Sequence, residues 1–289
     1  MATIRCGLVV LVMVLAVPSS GRATEFDRTL PAAPGMRLDV RLYGGEVVVR
    51  AWDQDAVRVR AIHFPTDVIE CTAIGTEIRV RARTTAGSLH GIDLDIDVPA
   101  WMAIGIVGPY VDVAANGTQS GVTIETIRGD IRVGGGNGTI LLSSMEGQIA
   151  LENARGTARL RAANNGVRVS GFAGDLQAET VDGSVRLRGV VASRVEVSTM
   201  TGDILWEGPL AEDGRSQLIS HSGDIDVTLP PSASATIAVH GLDGNLRCQF
   251  AAPAGRGADG GRLLVLGSGR SRLDLESFNG IISIRQSVR

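Results

Sequence analysis

Apolar and polar positions alternate along most of this chain, and the alternation returns at a fixed step. Gly129-Asp130-Ile131-Arg132-Val133 sets the pattern, with apolar side chains at the third and fifth positions. It restarts every nine residues, at Ser120, Gly129, Gly138, Gly147, Gly156, Asn165, Gly174 and Gly183. The apolar pairs are Val122/Ile124, Ile131/Val133, Ile140/Leu142, Ile149/Leu151, Ala158/Leu160, Val167/Val169, Leu176/Ala178 and Val185/Leu187. Period-two alternation in a short run predicts a strand with one buried face, and the Gly or Asn before each run predicts a chain reversal.

A longer spacing lies over the first. Thr126, Ser144, Ala162 and Thr180 are small residues eighteen apart, as are Gly117, Gly135, Asn153 and Gly171. Gly and Asn share the second series because they tolerate φ > 0 at low cost. Ile127, Met145, Ala163 and Val181 form a third series, read as an inward corner. Two alternating corners mean two strands per turn. Such coils cannot bury their apolar faces alone and must stack, about 4.8 Å apart. The pattern loosens after Gly183 but continues at Val195/Val197, Ile204/Trp206, Ile225/Val227, Ile237/Val239, Leu246/Cys248, Leu263/Val265, Leu273/Leu275 and Ile282/Ile284. About nine turns then make a rod of roughly 40 Å. Residues 209–214 and 251–261 read as surface loops, the second Gly/Ala/Pro-rich and mobile. An antiparallel sandwich is the rival, but it requires no fixed phase across so many modules.

Residues 24–119 lack the nine-residue step. Glu46–Arg50 and Val57–Ala61 alternate and read as a hairpin turned by Trp52-Asp53-Gln54-Asp55; Val68–Cys71 and Glu77–Arg83 read as another. Ile92–Val98 alternates strictly up to Pro99. Phe26, Tyr43, Trp52, Phe64, Trp101 and Tyr110 give this part a bulkier core. An open first turn is an exposed edge that must be covered. The expected fold is therefore all-β: a β-solenoid with about 18 residues and two strands per turn over 120–289, preceded by an antiparallel β cap over 24–119 and continuous with it. Arg285 and Arg289 after the last strand blunt the other end.

The remaining residues, 1–23, read as an address. Arg5 precedes the apolar run Leu8–Val17, Pro18 breaks it, and Gly21-Arg22-Ala23 offers small residues for cleavage after Ala23. A run this short does not span a bilayer. Cys6 precedes the run, whereas a lipid-carrying Cys must follow it. With no later transmembrane segment expected, the mature protein is expected to be exported, to the periplasm or the cell surface. The chain has a net charge of −3, which gives no reason to expect nucleic acid as a partner. All 28 basic residues are Arg, which removes lysine chemistry from consideration.

Gly44-Gly45-Glu46-Val47-Val48-Val49, Ala51-Trp52-Asp53, Asp95-Ile96-Asp97-Val98-Pro99, Thr201-Gly202-Asp203-Ile204 and Ser222-Gly223-Asp224-Ile225-Asp226-Val227-Thr228-Leu229-Pro230 follow one another in a recognisable order. Together they resemble the bacterial putative-adhesin family of uncharacterised exported proteins with Gly-Asp-Ile repeats, across nearly all of the mature chain. The resemblance implies an exported β-solenoid-like domain and supplies no catalytic residues.

Candidate chemistry is sparse. Nine-residue modules suggest a calcium-binding β-roll, with Gly134-Gly135-Gly136-Asn137-Gly138 its nearest stretch. However, turn carboxylates at Asp130, Asp175, Asp203 and Asp224 are interrupted by Gln148, Gly166 and Ser184, too broken a ladder for an ion that needs six to eight oxygens. Asp93, Asp95 and Asp97 share one strand face and are expected to be solvated or neutralised by Arg. Arg132, Arg168 and Arg186 fall at one outward position, with Ala150 between the first two, and form the possible ligand face for an anionic polymer. Glu152, Glu179 and Glu196 are the acids expected to offset them. His63, His90, His221 and His240 show no metal or triad spacing. Phe172 is expected at a corner, Trp206 in the core and Cys248 as a small buried hydrophobe; Cys71 lies in the cap, too far away for a disulfide. No cofactor, metal or catalytic residue is expected. The functional expectation is a non-enzymatic structural or binding protein of the cell envelope, whose partner is a cell-envelope or extracellular polysaccharide or protein. Its rivals are a carbohydrate-active β-helix enzyme, the calcium-binding β-roll, and self-association through the solenoid ends.

Overall fold

The computed structural model describes residues 23–85, 90–241, 245–251, 254–256 and 261–287. The leader reading falls outside these residues apart from Ala23, as does most of the 251–261 loop. Every regular element among them is a strand, in one sheet of 13 strands and another of 14. From Ala103 to Leu229 successive strands alternate between the two sheets, and each pairs in parallel with the next strand of its own sheet. Val122 pairs with Ile140, Ile140 with Ala158 and Ala158 with Leu176; on the other sheet Ile131 pairs with Ile149 and Ile149 with Val167.

Burial explains the pattern. All sixteen residues of the eight apolar pairs from Val122 to Leu187 are buried, and one continuous core runs from Ala32 to Ile284. Each strand alone exposes its apolar face; stacking removes that face from water, worth about 25 cal/mol per Å² buried.

The two corners solve different problems. At one, Gly135, Asn153, Gly171 and Gly189 take φ of 103°, 52°, 62° and 60°, the left-handed turn that leads each strand into the opposite sheet. At the other, neighbouring backbones approach closely, and at most of its positions a side chain would collide with the coil below. A Cβ on Gly202 would stand 2.3 Å from the Gly183 carbonyl oxygen, and one on Gly147 would stand 1.8 Å from that of Gly129. A buried hydroxyl three residues before each of these glycines donates to the carbonyl of the coil below. Ser144 bonds Gly129 at 2.9 Å, Thr180 bonds Asn165 at 3.2 Å, Thr199 bonds Gly183 at 3.2 Å, Ser220 bonds Gly202 at 3.0 Å and Ser277 bonds Gly223 at 2.9 Å. Ala162 occupies the same column, in register between Ser144 and Thr180.

The hydroxyl column corrects one expectation. Thr126, Ser144 and Thr180 take the inward place at this corner, so the next residue must point out. Ile127, Met145 and Val181 are half exposed and Ala163 is partly exposed, forming an outward apolar ridge where an inward corner was expected.

Both ends of the stack are built out of chain order. Arg37–Leu42 and Gly44–Trp52 form the first coil, yet Glu77–Thr84 and Leu94–Pro99 lie outside it. Ser271–Ser277 and Ile282–Gln286 form the last coil, yet Ala235–Gly241 and Leu246–Cys248 cover it. Antiparallel strands complete the edges: Thr24–Pro31 on Ala56–His63, Asp67–Ile74 on Glu77–Thr84, and Ala254–Arg256 on Arg262–Leu266.

This layering overturns the first expected hairpin. The strands on either side of Trp52–Asp55 are not partners, because Leu94–Pro99 lies between them, parallel to one and antiparallel to the other. The expected inward pair Leu263/Val265 is out of phase by one residue. Antiparallel pairing sets Leu264 opposite Ile237 and Leu266 opposite Ala235, so Leu264 and Leu266 are buried and Val265 is exposed. Cys248, expected inside, is exposed on an edge strand beyond which no further coil packs. Phe172, expected at a corner, is fully buried, as is Trp206.

Removing a corner hydroxyl strands a carbonyl, and adding one satisfies it. Ser220→Ala is expected to lower stability by about 1 kcal/mol, and Ala162→Ser, whose hydroxyl can reach the Gly147 carbonyl, to raise it by a similar amount. Urea-unfolding midpoints of the two variants check both signs.

Candidate functional site

The turn aspartates serve the backbone. In four coils one carboxylate oxygen accepts the N–H of the equivalent residue one coil on: Asp112 from Asp130 at 2.7 Å, Asp130 from Gln148 at 2.9 Å, Asp203 from Asp224 at 2.9 Å and Asp224 from Ile281 at 2.8 Å; Asp175, expected in the same ladder, lies instead on the 14-stranded sheet, within Ala173–Thr180. This column runs beside the glycine corner and explains why Asp follows Gly there: the carboxylate caps a donor that the strand ladder leaves unpaired. Among the described residues no group of three His, Cys, Asp or Glu side chains is arranged to hold a metal ion.

The expected ligand face lies next to this column. In register order its positions are Arg132, Ala150, Arg168, Arg186, Leu205 and Asp226. The structure separates the three arginines. Arg132 is paired with Asp130 at 2.8 Å. Arg168 and Arg186 are exposed and adjacent, one coil apart, and among the described residues neither has a carboxylate partner. Two of the acids expected to offset them belong to the other sheet, where Glu179 pairs with Arg161 at 3.1 Å and Glu196 lies beside Arg194. Arg168 and Arg186 border a notch of about 200 Å³, lined also by Gln148, Ile149, Gly166, Val167 and Ser184.

In the N-terminal part, charge is neutralised locally. Asp95 contacts Arg50, Arg60 reaches Asp97 at 2.9 Å and Asp95 at 3.4 Å, and Asp93 accepts the Glu46 N–H at 2.9 Å. Arg50, Arg60, Asp93 and Asp95 border a depression of about 390 Å³. Asp67 is buried, and its two oxygens contact His90 Nε2 at 2.7 Å and the Phe64 N–H at 2.8 Å. Burial opposes its charge, but these two hydrogen bonds prevail and hold the carboxyl below the usual range. No sequence pattern links the members of this pair, which lie 23 residues apart. Cys71 is a buried free thiol, pushed up in pKa by burial, and belongs to the end of the stack opposite free Cys248.

The open notch was legible only indirectly. Its place is marked in the sequence by Gln148, Gly166 and Ser184, which interrupt the turn aspartates, and that break read there only as an argument against calcium.

Comparison with known proteins gives a family and a set of distant folds. The profile of the Toastrack DUF4097 family matches residues 79–285. A solved putative adhesin from Bacteroides fragilis NCTC 9343 is similar at 15% identity and TM-score 0.45, over 93% of this chain and 99% of that one. A putative adhesin from Parabacteroides distasonis ATCC 8503 is similar at 11% identity and TM-score 0.39, over 93% and 98%. A putative cell adhesion protein from Clostridium sporogenes ATCC 15579 is similar at 10% identity and TM-score 0.25, over 92% and 100%. No curated protein matches.

Two measurements check the electrostatics. Asp67 has a depressed folded-state pKa, so its contribution is complete above the ordinary Asp value of about 3.9 and is lost as pH falls through the folded value. Asp67→Asn is expected to lower the melting temperature by about 3–6 °C at pH 7, with the gap closing as the pH falls below that ordinary value. Because the turn carboxylates already serve backbone donors, neither calcium nor EDTA is expected to move the melting temperature.

Proposed function

The chain belongs to the Toastrack DUF4097 family, and on that premise we propose that it is a non-enzymatic, adhesin-like binding module exported to the bacterial cell envelope. In this reading residues 1–23 are a cleaved signal peptide and 24–289 one continuous domain, a two-strand solenoid whose parallel coils begin at Arg37–Leu42 and Gly44–Trp52 and not at residue 120. The partner is a polysaccharide or protein of the envelope or the surrounding medium.

The observation that carries the reading is the outward face of the 13-stranded sheet. Its side chains are held in columns by parallel pairing, about 4.8 Å from coil to coil. A surface of that kind meets an extended partner at repeated points without large conformational cost. Two further observations support binding over catalysis. The Asp95 and Asp97 carboxylates are engaged with arginines, and the turn aspartates with backbone donors. The described residues form no helix long and apolar enough to cross a membrane.

A binding screen of the purified protein against envelope polysaccharides, extracellular glycans and envelope proteins tests this. Saturable binding without turnover is expected. Hydrolysis or elimination of a polysaccharide that is abolished by Asp95→Asn or Asp97→Asn would establish the enzymatic rival instead. N-terminal sequencing of the protein recovered from the envelope is expected to begin at Thr24.

A further inference from the structure

The turn-aspartate column is broken over three coils, and the break coincides with the arginine notch. Below it, Asp130 accepts the Gln148 N–H; above it, Asp203 accepts the Asp224 N–H. Between them stand Gln148, Gly166 and Ser184. The N–H groups of Gly166 and Ser184 have no acceptor among the described residues, although the equivalent donors of Gln148 and Asp224 each face a carboxylate oxygen. Gly166 and Ser184 both line the notch. Arg168 and Arg186 flank it two positions on, free of any carboxylate among the described residues, whereas Arg132 in the same column is held by Asp130.

We propose that this notch binds a carboxylate brought by a ligand, which takes the place the missing aspartates occupy elsewhere in the column. The protein itself supplies the template: at Asp130, one carboxylate oxygen receives a backbone N–H and the other a guanidinium two residues on. At the break the same two kinds of donor remain, doubled by the coil repeat, and the acceptor is left to the ligand. Backbone donors with paired guanidiniums form a strong recognition set for such a group.

The carrier we assign is a uronate unit of an acidic polysaccharide. The notch of about 200 Å³ suits a group of that size. Beside it runs the outward ridge of Met145, Ala163 and Val181, each three residues before a residue that lines the notch. A pyranose uronate offers one carboxylate for the donors, a C–H face for the ridge and hydroxyls for Gln148 and Ser184. The assignment deepens the proposed binding function by naming the ligand class and its contact point.

The test titrates the purified protein with oligogalacturonate, using its methyl ester and an acidic peptide as separate arms. Calorimetry gives affinity, and amide NMR follows Gly166 and Ser184. Saturable binding that shifts both amides is expected, with at least tenfold weaker binding of the methyl ester. Arg168→Gln with Arg186→Gln is expected to reduce affinity at least tenfold, while Arg132→Gln leaves it unchanged. Gln148→Asp with Ser184→Asp sets the protein's own carboxylates against the Gly166 N–H and beside Arg186, on the pattern of Asp130 with Gln148 and Arg132. It is expected to abolish binding at an equal or higher melting temperature, which separates loss of the site from loss of fold. The site assignment is overturned by equal binding of the methyl ester, by uronate affinity that survives the double aspartate variant, or by shifts confined to other amides. Tighter binding of the acidic peptide than of the uronate overturns the carrier. Absence of uronate binding alongside other hits in the envelope screen overturns this inference alone; absence of any hit overturns the broader reading as well.

Discussion

The close approach of successive coils at the glycine corner is the constraint on which the rest depends. Strands in one sheet are about 4.8 Å apart, but where the chain turns between sheets the backbones of adjacent coils come nearer still. Gly147, Gly202, Gly223 and Gly280 each leave less than 2.5 Å between a notional Cβ and the carbonyl oxygen of the coil below. At these four positions a side chain would collide with that carbonyl, and the carbonyl needs a donor. Ser and Thr three residues earlier supply that donor from inside; Asp one residue later caps the neighbouring N–H from outside. The short motif of hydroxyl, two residues, Gly and Asp is therefore one structural unit, and its repetition sets the coil length.

That constraint also explains what was readable in advance. The inward pairs were legible because strand burial writes itself as period two, and the coil because both corners restrict residue type. The outward ridge was misread because Ile127, Met145 and Val181 are apolar, and periodicity alone assigns apolar residues inward. Only the hydroxyl beside each, already in the inward place, reverses the assignment. At Leu264 the antiparallel strand obeys a different partner, and the phase slips by one.

The ends hid from the sequence for another reason. Their spatial order is regular, but their chain order is not. Asp224 caps Ile281, 57 residues away, just as Asp130 caps Gln148, 18 away. A parallel stack cannot leave its first and last coils open, because an unpaired parallel edge invites another chain. Here the chain covers each with a later or earlier pair of strands and, among the described residues, finishes three of the four sheet edges with antiparallel strands, leaving only the short Leu246–Cys248 as a parallel edge. Periodicity in sequence detects only neighbours added in order, so the part of the stack assembled out of order read as a separate kind of structure.

The same logic bears on where recognition can sit. A column that satisfies its own donors coil after coil has nothing to offer a ligand: its carboxylates are engaged, and its arginines, like Arg132, are neutralised within the column. Exposure alone does not make such a face sticky, since each group has already exchanged water for a partner. Binding capacity appears only where the repeat is interrupted without collapse of the coil. Gly166 and Ser184 do this: they keep the tight corner and the strand register while withholding the acceptor. In a repeat protein of this type the informative positions are the departures from the repeat, because the consensus residues are consumed in holding one coil to the next.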